Sequence, residues 1–180
     1  MNQAAYGLCC IDAFSKVADI ELMKKRTQAD TVAAMSAIFK RMEPPKMIYC
    51  DEGSEFDNKS FKELMKKHDI ELLFTITHAP IVERFNRTIK QMIHKYLQST
   101  NTKTITNVLP RMLKNYNNSY HSTIEMAPNE VTKNTQHIVQ FNPFWAGGRQ
   151  WRPRLKFQGR AHALEQATKI EWMLCDHTLV

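Results

Sequence analysis

The sequence contains 180 residues, of which 43% are hydrophobic and 24% charged, and its formal net charge is +7. This length suffices for one domain with a hydrophobic core and is short for two. The sequence has no apolar run approaching ~20 residues, which predicts that it does not act in a membrane. Its four cysteines form no C-x-x-C pair, which disfavours a zinc module and predicts reduced, buried thiols in an intracellular protein.

The first part of the chain alternates between predicted strands and helices. Thr27 and Asp30 form a capping-box pattern that opens the first helix, and Pro44 ends it. Asp51 follows a short strand and precedes a turn at Gly53. In chain order we predict strands at 6–14 and 17–23, a helix at 27–43, a strand at 46–50, a short helix at 58–68 and a strand at 70–76.

A longer helix follows, and it carries two distinct stripes. Its apolar stripe recurs at helical spacing and predicts a core-facing side, formed by Val82, Phe85, Ile89, Met92, Ile93 and Tyr96. Its polar stripe consists of Glu83, Asn86, Arg87, Lys90 and His94. Another helix is predicted over 104–118, interrupted or started by Pro110. Together these elements indicate an α/β domain over 1–135.

Residues 136–180 differ in composition from the preceding domain. They hold all three Trp residues and several basic residues, with no clear hydrophobic period. We interpret them as a basic tail, with a last helix over 163–174.

Positive charge is concentrated in two stretches without Asp or Glu. The stretch from 84 to 124 contains seven cations, and that from 131 to 164 contains six. Such stretches are often simply a solvated face. In a chain with 18 acids, they favour a polyanionic partner, of which nucleic acid is the simplest.

Asp51 and Glu83 are the candidate metal ligands. Asp51 ends a strand, and Glu83 lies in the first turn of the helix after the next strand, where ligands collect in open sheets. Two adjacent carboxylates repel unless an ion or a proton lies between them, and their oxygens suit Mg²⁺ or Mn²⁺. Arg87 and Lys90, one and two turns on, would hold a phosphate backbone. The alternative is an ordinary ion pair between Glu83 and Arg87 on a solvated face.

Four motifs in this order resemble the catalytic core of retroviral-type integrases, the DDE integrase and transposase family. They are IDAFSK, KMIYCDEGSEFDNKSFKELM, IVERFNRTIKQM and LKNYNNSYHSTIEMAPNEV, and the closest likeness is to integrases of Maverick/Polinton elements and retroelements. The resemblance implies a ribonuclease H-like mixed sheet flanked by helices, and a metal-dependent polynucleotidyl transferase for DNA integration. Asp51 and Glu83 then match the second and third catalytic carboxylates. Arg84, Asn86, Arg87 and Lys90 match the helix that approaches DNA, while Tyr116, Asn117, His121 and Pro128 match a later, structural motif.

The sequence departs from the family pattern in two places. The strand with the first catalytic Asp would precede Met1, so we expect an amino-terminally truncated core that lacks the central strand and leaves neighbouring strand edges unpaired. Asp12 matches the Asp of the family's D-x-F-S-K turn, a structural position. Only 31 residues separate Asp51 from Glu83, and the shortening falls in the loop at 77–80.

Three hypotheses follow from these residues. The first is an active, multimeric integrase core, which would need Asp12 or Asp19 as a third ligand. The second, which we favour, is an inactive or weakly active remnant that binds DNA in the nucleus. The third is a non-catalytic module derived from a mobile element that uses the Trp-containing tail to bind proteins.

Overall fold

The structure is a computed structural model that describes residues 6–75, 80–101, 104–140 and 171–178. The strands are β1 (Tyr6–Asp12), β2 (Ala18–Met23), β3 (Met47–Asp51), β4 (Glu71–Thr75) and β5 (Glu171–Thr178). The helices are α1 (Gln28–Ile38), α2 (Lys59–Lys67), α3 (Pro80–Thr100), α4 (Leu109–Asn117) and α5 (Gln136–Gln140), with a 3-10 turn at Pro128–Glu130. Within these residues, no helix has the length and apolarity needed to cross a membrane.

The helix starts follow from local hydrogen bonding. Thr27 caps α1 as predicted, because its Oγ1 accepts a hydrogen bond from the Asp30 amide at 3.2 Å. The Asn58 side chain caps α2 by accepting from the Phe61 amide at 2.9 Å. Pro110 lies in the first turn of α4, where its missing N–H costs nothing, so it starts this helix and does not interrupt it.

The five strands form one mixed sheet in the order β2-β1-β5-β3-β4. β1 pairs antiparallel with both β2 and β5, whereas β3 pairs parallel with β4 and β5. The predicted α/β class, with a mixed sheet flanked by helices, is therefore confirmed.

We expected the central strand to be missing and the edges of its neighbours to be unpaired. The structure differs, because a strand fills the central position of this sheet. β5 lies between β1 and β3, and its backbone pairs along Tyr6–Asp12 on one side and Met47–Tyr49 on the other. Part of the segment predicted as a tail therefore belongs to the core sheet, and the helix predicted over 163–174 is wrong for residues 171–174. The reason is physical: a strand at this position supplies partners for the backbone groups on the facing edges of β1 and β3, which a helix cannot do.

Two hydrophobic layers cover the sheet. On one face, α3 and α4 pack against alternate residues of the strands, including Cys9, Ile11 and Tyr49. On the other face, α1 and α2 pack against the intervening residues, including Cys10 and Cys50. The apolar stripe predicted for α3 is confirmed, because Val82, Phe85, Ile89 and Ile93 are buried and Met92 and Tyr96 are partly buried.

Candidate metal and nucleic-acid site

Asp51 and Glu83 lie at the same edge of the sheet. Asp51 is the last residue of β3, and its neighbour β4 runs parallel to it, so both strands end at this edge. β4 ends at Thr75 and α3 starts at Pro80, so the first turn of α3, which contains Glu83, begins near that edge. Both acidic residues are exposed to solvent.

The two acids also share one face of the sheet. Tyr49, two residues before Asp51, belongs to the hydrophobic cluster under α3, as does Val82, the residue before Glu83. Because strand residues two apart lie on the same face, Asp51 belongs to the α3 face. The hydrophobic cluster that contains both Tyr49 and Val82 therefore places the two acids on the same face of the sheet.

The turn after Asp51 is held by hydrogen bonds that α2 anchors. The Gly53 carbonyl accepts from the amides of Phe56 and Asp57 at 2.9 and 2.8 Å. The Asn58 Nδ2 donates to the Glu55 carbonyl at 2.8 Å while its Oδ1 caps α2. An added Cβ at residue 53 would lie 2.5 Å from the Glu55 carboxyl carbon, so a larger residue there would require the Glu55 side chain to move. This turn fixes the backbone that leaves β3.

The predicted DNA-binding residues of α3 divide by exposure. Arg84, Arg87 and Lys90 are exposed, while Asn86 is 3% exposed. A side chain buried to that extent supports the helix packing and has little surface to offer a ligand. The exposed cations of α3 are therefore the better candidates for contact with DNA, and the roles of all four residues stay predictions.

The two acids considered as a third ligand are already engaged. The Asp12 carboxylate accepts hydrogen bonds from the Ser15 amide at 2.8 Å and from the Ser15 hydroxyl, which makes it a turn-forming residue as its motif predicts. Asp19 forms an ion pair with Arg41 at 2.7 Å and accepts from the Ile20 amide. Each carboxylate therefore already serves a structural contact.

The structure brings a further acid, Asp176, into the sheet, which the sequence analysis missed. In the β1–β5 register Asp176 is opposite Leu8, and Cys175 is opposite Cys9. Leu8 belongs to the layer under α1 and α2, whereas Cys9 belongs to the layer under α3. The register position of Asp176 is thus on the face opposite to Glu83. The signal was the apolar run 172–175 between acidic residues, which fits a short buried strand as well as a helix turn.

Asp51 and Glu83 suit a hard divalent cation chemically. Mg²⁺ keeps several waters and is commonly bound by one or two carboxylates, so two acids at one edge fit this ion without a complete protein cage. Among the described residues, no group of three or more His, Cys, Asp and Glu residues is arranged to hold a metal. The predicted short loop at 77–80 lies outside the described residues, apart from Pro80.

The later motif has the structural character that was predicted. The Tyr116 ring packs edge-on against Phe85 with centroids 4.8 Å apart, and burial raises the pKa of Tyr116 to about 12. The Asn117 side chain donates to and accepts from the backbone of Ala18. These contacts attach α4 to α3 and to β2.

Comparisons with known proteins agree with this architecture. Residues 1–80 match the family described as integrase core domain. A transposon-derived protein of Caenorhabditis elegans is 31% identical over 129 residues, which cover 70% of this chain and 45% of the relative. The Pol polyprotein of transposon 297 from Drosophila melanogaster is 23% identical over 141 residues, 77% of this chain and 13% of that protein.

Solved integrase structures share the fold. The magnesium complex of the HTLV-2 integrase catalytic core, in its trimeric form, aligns with a TM-score of 0.61 and 23% identity over 70% of this chain and 84% of that one. The simian T-cell lymphotropic virus intasome, solved with a PP2A regulatory subunit, aligns with a TM-score of 0.66 and 19% identity over 88% of this chain and 53% of that one. The resemblance to integrase catalytic cores and the ribonuclease H-like fold are therefore confirmed. The chain spans less than half the length of these curated relatives, and a particular closeness to Maverick/Polinton elements stays a prediction.

Proposed function

We propose that this integrase-core-like protein binds DNA and a divalent metal, with Asp51 and Glu83 as metal ligands and Arg84, Arg87 and Lys90 as DNA contacts. The observation that carries the proposal is that Tyr49 and Val82, which are close in the chain to the two acids, belong to one hydrophobic cluster on one face of the sheet. Bound there, Mg²⁺ or Mn²⁺ would supply activation of an attacking oxygen and stabilisation of a leaving one.

The charge of α3 supports DNA as the partner. Arg84, Arg87 and Lys90 are exposed and follow Glu83 within two turns of the same helix. Cations at this distance from a metal site would hold the phosphate backbone on which the metal acts. Family resemblance further supports a homo-oligomer and a nuclear location as parts of this proposal.

A second candidate, a DNA-binding protein with little or no transferase activity, is favoured by the engagement of Asp12 and Asp19. Their carboxylates are occupied by Ser15 and Arg41, and the register position of Asp176 is on the other face of the sheet. On this candidate, metal binding by two carboxylates is retained, and catalysis of strand transfer is weak or absent.

Calorimetric titration with Mn²⁺ tests the metal site. Wild-type protein should bind Mn²⁺, and Asp51→Asn and Glu83→Gln should each weaken that binding by at least tenfold. Glu63→Gln is the matched control, because Glu63 is an exposed acid on α2. Unchanged binding in both site variants would refute the metal assignment.

Fluorescence anisotropy with a labelled duplex tests the DNA contacts. Affinity should fall steeply with salt, and Arg87→Ala or Lys90→Ala should weaken binding to all sequences alike. Salt-independent binding, or none, would refute the nucleic-acid proposal. A strand-transfer assay with Mn²⁺ separates the two candidates, since activity that Glu83→Gln abolishes would establish the enzyme and reject the inactive protein.

A further inference from the structure

Two of the four cysteines are directly opposite each other on neighbouring strands. In the antiparallel pairing of β1 with β5, Cys9 is the register partner of Cys175. Cys9 is fully buried and belongs to the hydrophobic cluster under α3. Because directly opposed residues of an antiparallel pair share one face of the sheet, the register position of Cys175 is on this face as well. The sheet therefore brings together two cysteines from near the two ends of the sequence.

The hydrogen-bond pattern of β1 gives the expected spacing of this pair. The Asp12 amide donates to the Val17 carbonyl at 2.8 Å, so the backbone groups of Asp12 are directed toward β2. Successive residues of a strand alternate between its two neighbours, so Cys9, three positions earlier, directs its backbone groups toward β5. Cys9 and Cys175 are thus a hydrogen-bonded pair, for which a Cα–Cα separation of about 5.5 Å is typical. Disulfides form over Cα–Cα separations of about 4.4–6.8 Å.

Cys10 and Cys50 do not share this arrangement. Both belong to the cluster under α1 and α2, on the face of the sheet opposite to Cys9. They are also separated from each other by β5, which lies between β1 and β3. Two strand spacings amount to about 9–10 Å, which is beyond the reach of a disulfide. The backbone therefore selects Cys9 and Cys175 as the pair that can be joined.

We propose that Cys9 and Cys175 form a reversible disulfide, with glutathione disulfide as the class of oxidant, that joins β5 covalently to β1. This inference goes beyond the proposed function, because it involves neither metal nor DNA. β5 is paired with β1 and β3 through backbone hydrogen bonds. A covalent link to β1 keeps this central strand with the sheet when those hydrogen bonds open.

The chemistry consists of two successive thiol–disulfide exchanges. The thiolate of one cysteine attacks a sulfur of glutathione disulfide, forms a mixed disulfide and releases one glutathione thiolate. The thiolate of the other cysteine then attacks the protein sulfur of this mixed disulfide and releases the second glutathione. The protein gives up two electrons and two protons, and the two glutathione molecules gain them. Because Cys9 is buried, the first exchange takes place when the β1–β5 pair opens locally, and the second when it closes.

The geometry of the pair makes the disulfide easy to reduce. Directly opposed residues have Cβ atoms about 4.5–5.5 Å apart, whereas a disulfide needs about 3.5–4.5 Å. Closing this gap strains the bond, and a strained disulfide is reduced more readily. The two thiols therefore stay reduced in a reducing glutathione pool, which is compatible with the reduced cysteines predicted from the sequence, and they join when that pool becomes oxidised.

Oxidation of the purified full chain tests the bond itself. Wild type and Cys10→Ala are incubated with glutathione disulfide or with reduced glutathione, the remaining thiols are alkylated, and peptides are mapped by mass spectrometry without reduction. Cys10→Ala removes the ambiguity between the adjacent residues Cys9 and Cys10. After oxidation, the peptide with Cys9 should be linked to the peptide with Cys175, and Cys50 should stay a thiol. Fragment ions between positions 9 and 10 of the wild-type peptide give the same answer if Cys10→Ala does not fold.

Urea denaturation of the same samples measures the effect of the bond on the fold. Oxidised wild type should unfold at a urea concentration about 1 M or more above that of the reduced protein, because the bond closes a very long loop. Cys10→Ala is the matched control and should show the same shift. Cys9→Ala and Cys175→Ala should show none. Each variant is compared with its own reduced form, so a change in basal stability does not affect the comparison.

Every result supports or overturns the proposal. A link between Cys9 and Cys175 together with the urea shift supports it. Cys9 that is alkylated after oxidation, carries only glutathione or is linked to another cysteine would overturn it. A link that leaves the urea midpoint unchanged would overturn the conclusion that the bond keeps β5 with the sheet. None of these readouts depends on DNA or Mn²⁺, so failure here leaves the proposed function standing.

Discussion

The side-chain amide of Asn117 pairs with both backbone groups of Ala18, 99 positions earlier in the chain. Its Oδ1 accepts from the Ala18 amide at 3.0 Å, and its Nδ2 donates to the Ala18 carbonyl at 2.9 Å. β2 lies at the end of the strand order, so its outer edge has no strand neighbour among the described residues. Asn117 therefore acts as a two-bond substitute for a neighbouring strand at the start of β2.

Asn117→Ala should lower the free energy of unfolding by about 1–3 kcal/mol, because it leaves the Ala18 groups without their partner. Urea denaturation monitored by circular dichroism measures this cost. Asn117→Asp keeps an acceptor for the Ala18 amide, but it places a carboxylate oxygen against the Ala18 carbonyl oxygen, and the two repel. This variant should therefore be no more stable than Asn117→Ala. Asn115→Ala, at an exposed position of the same helix, is the control and should cost less.

Asn58 joins the turn after Asp51 to α2 through both ends of its side chain. Asn58→Ala removes the helix cap and the bond to the Glu55 carbonyl, and we expect a loss of about 1–3 kcal/mol. Asn58→Asp retains the cap and should lose less. If the two variants unfold at the same urea concentration, the cap contributes nothing, and if Asn58→Asp unfolds at the same concentration as wild type, the donor to Glu55 contributes nothing.

Lys16 should make stability depend on pH above neutrality. Burial lowers its pKa from 10.5 to about 8, so between these values the unfolded chain binds more protons than the folded one. Stability attributable to Lys16 therefore rises as pH increases from 8 to 10.5, by about 3 kcal/mol at most. Urea titrations of wild type and Lys16→Met at several pH values isolate this contribution. A difference between the two proteins that stays constant from pH 7.5 to 10 would contradict the prediction.

The backbone of β5 should be among the best protected in the protein. A central strand is hydrogen-bonded on both sides, so amides of residues 172–174 should exchange with deuterium at least as slowly as those of β1. Leu174→Pro should destabilise the fold by about 3 kcal/mol or more, because it removes a ladder bond at the centre of the sheet. Rapid exchange of the peptide covering 171–178 would show that it behaves as a tail.

Cys50 should resist alkylation in the native state. Burial raises the pKa of its thiol, and the charges of Asp51, Asp57 and Glu55 raise it further, so the reactive thiolate is scarce near neutral pH. Mass spectrometry after iodoacetamide treatment at pH 8 should find this cysteine unmodified until urea is added. Labelling of Cys50 at the rate of the unfolded chain would contradict this.

Local patterns predicted most of the described elements. The stripe containing Phe85 and Ile89 identified the inner face of α3, and Thr27 identified the start of α1, because each depends on neighbours within a turn or two. The order of Asp51 and Glu83 along the chain also indicated their common edge, since parallel strands and the helix after them fix that edge.

Contacts distant in sequence were not predictable in this way. The burial of Asn86 depends on how α3 meets the sheet, and the hydrogen bonds between Asn117 and Ala18 join residues 99 positions apart. Sequence spacing also could not reveal that residues 171–178 enter the sheet, because a short apolar run has the same composition in a strand and in a helix.

The location of β5 has a consequence for biosynthesis. β1 and β3 leave the ribosome at least 120 residues before their common neighbour β5, because β3 ends at Asp51 and β5 begins at Glu171. Until residues 171–178 emerge, the edges of the apolar strands β1 and β3 that pair with β5 have no partner in the nascent polypeptide. Completion of the sheet by β5 is thus a late, long-range event. Before it occurs, such exposed strand edges attract chaperones or other nascent chains.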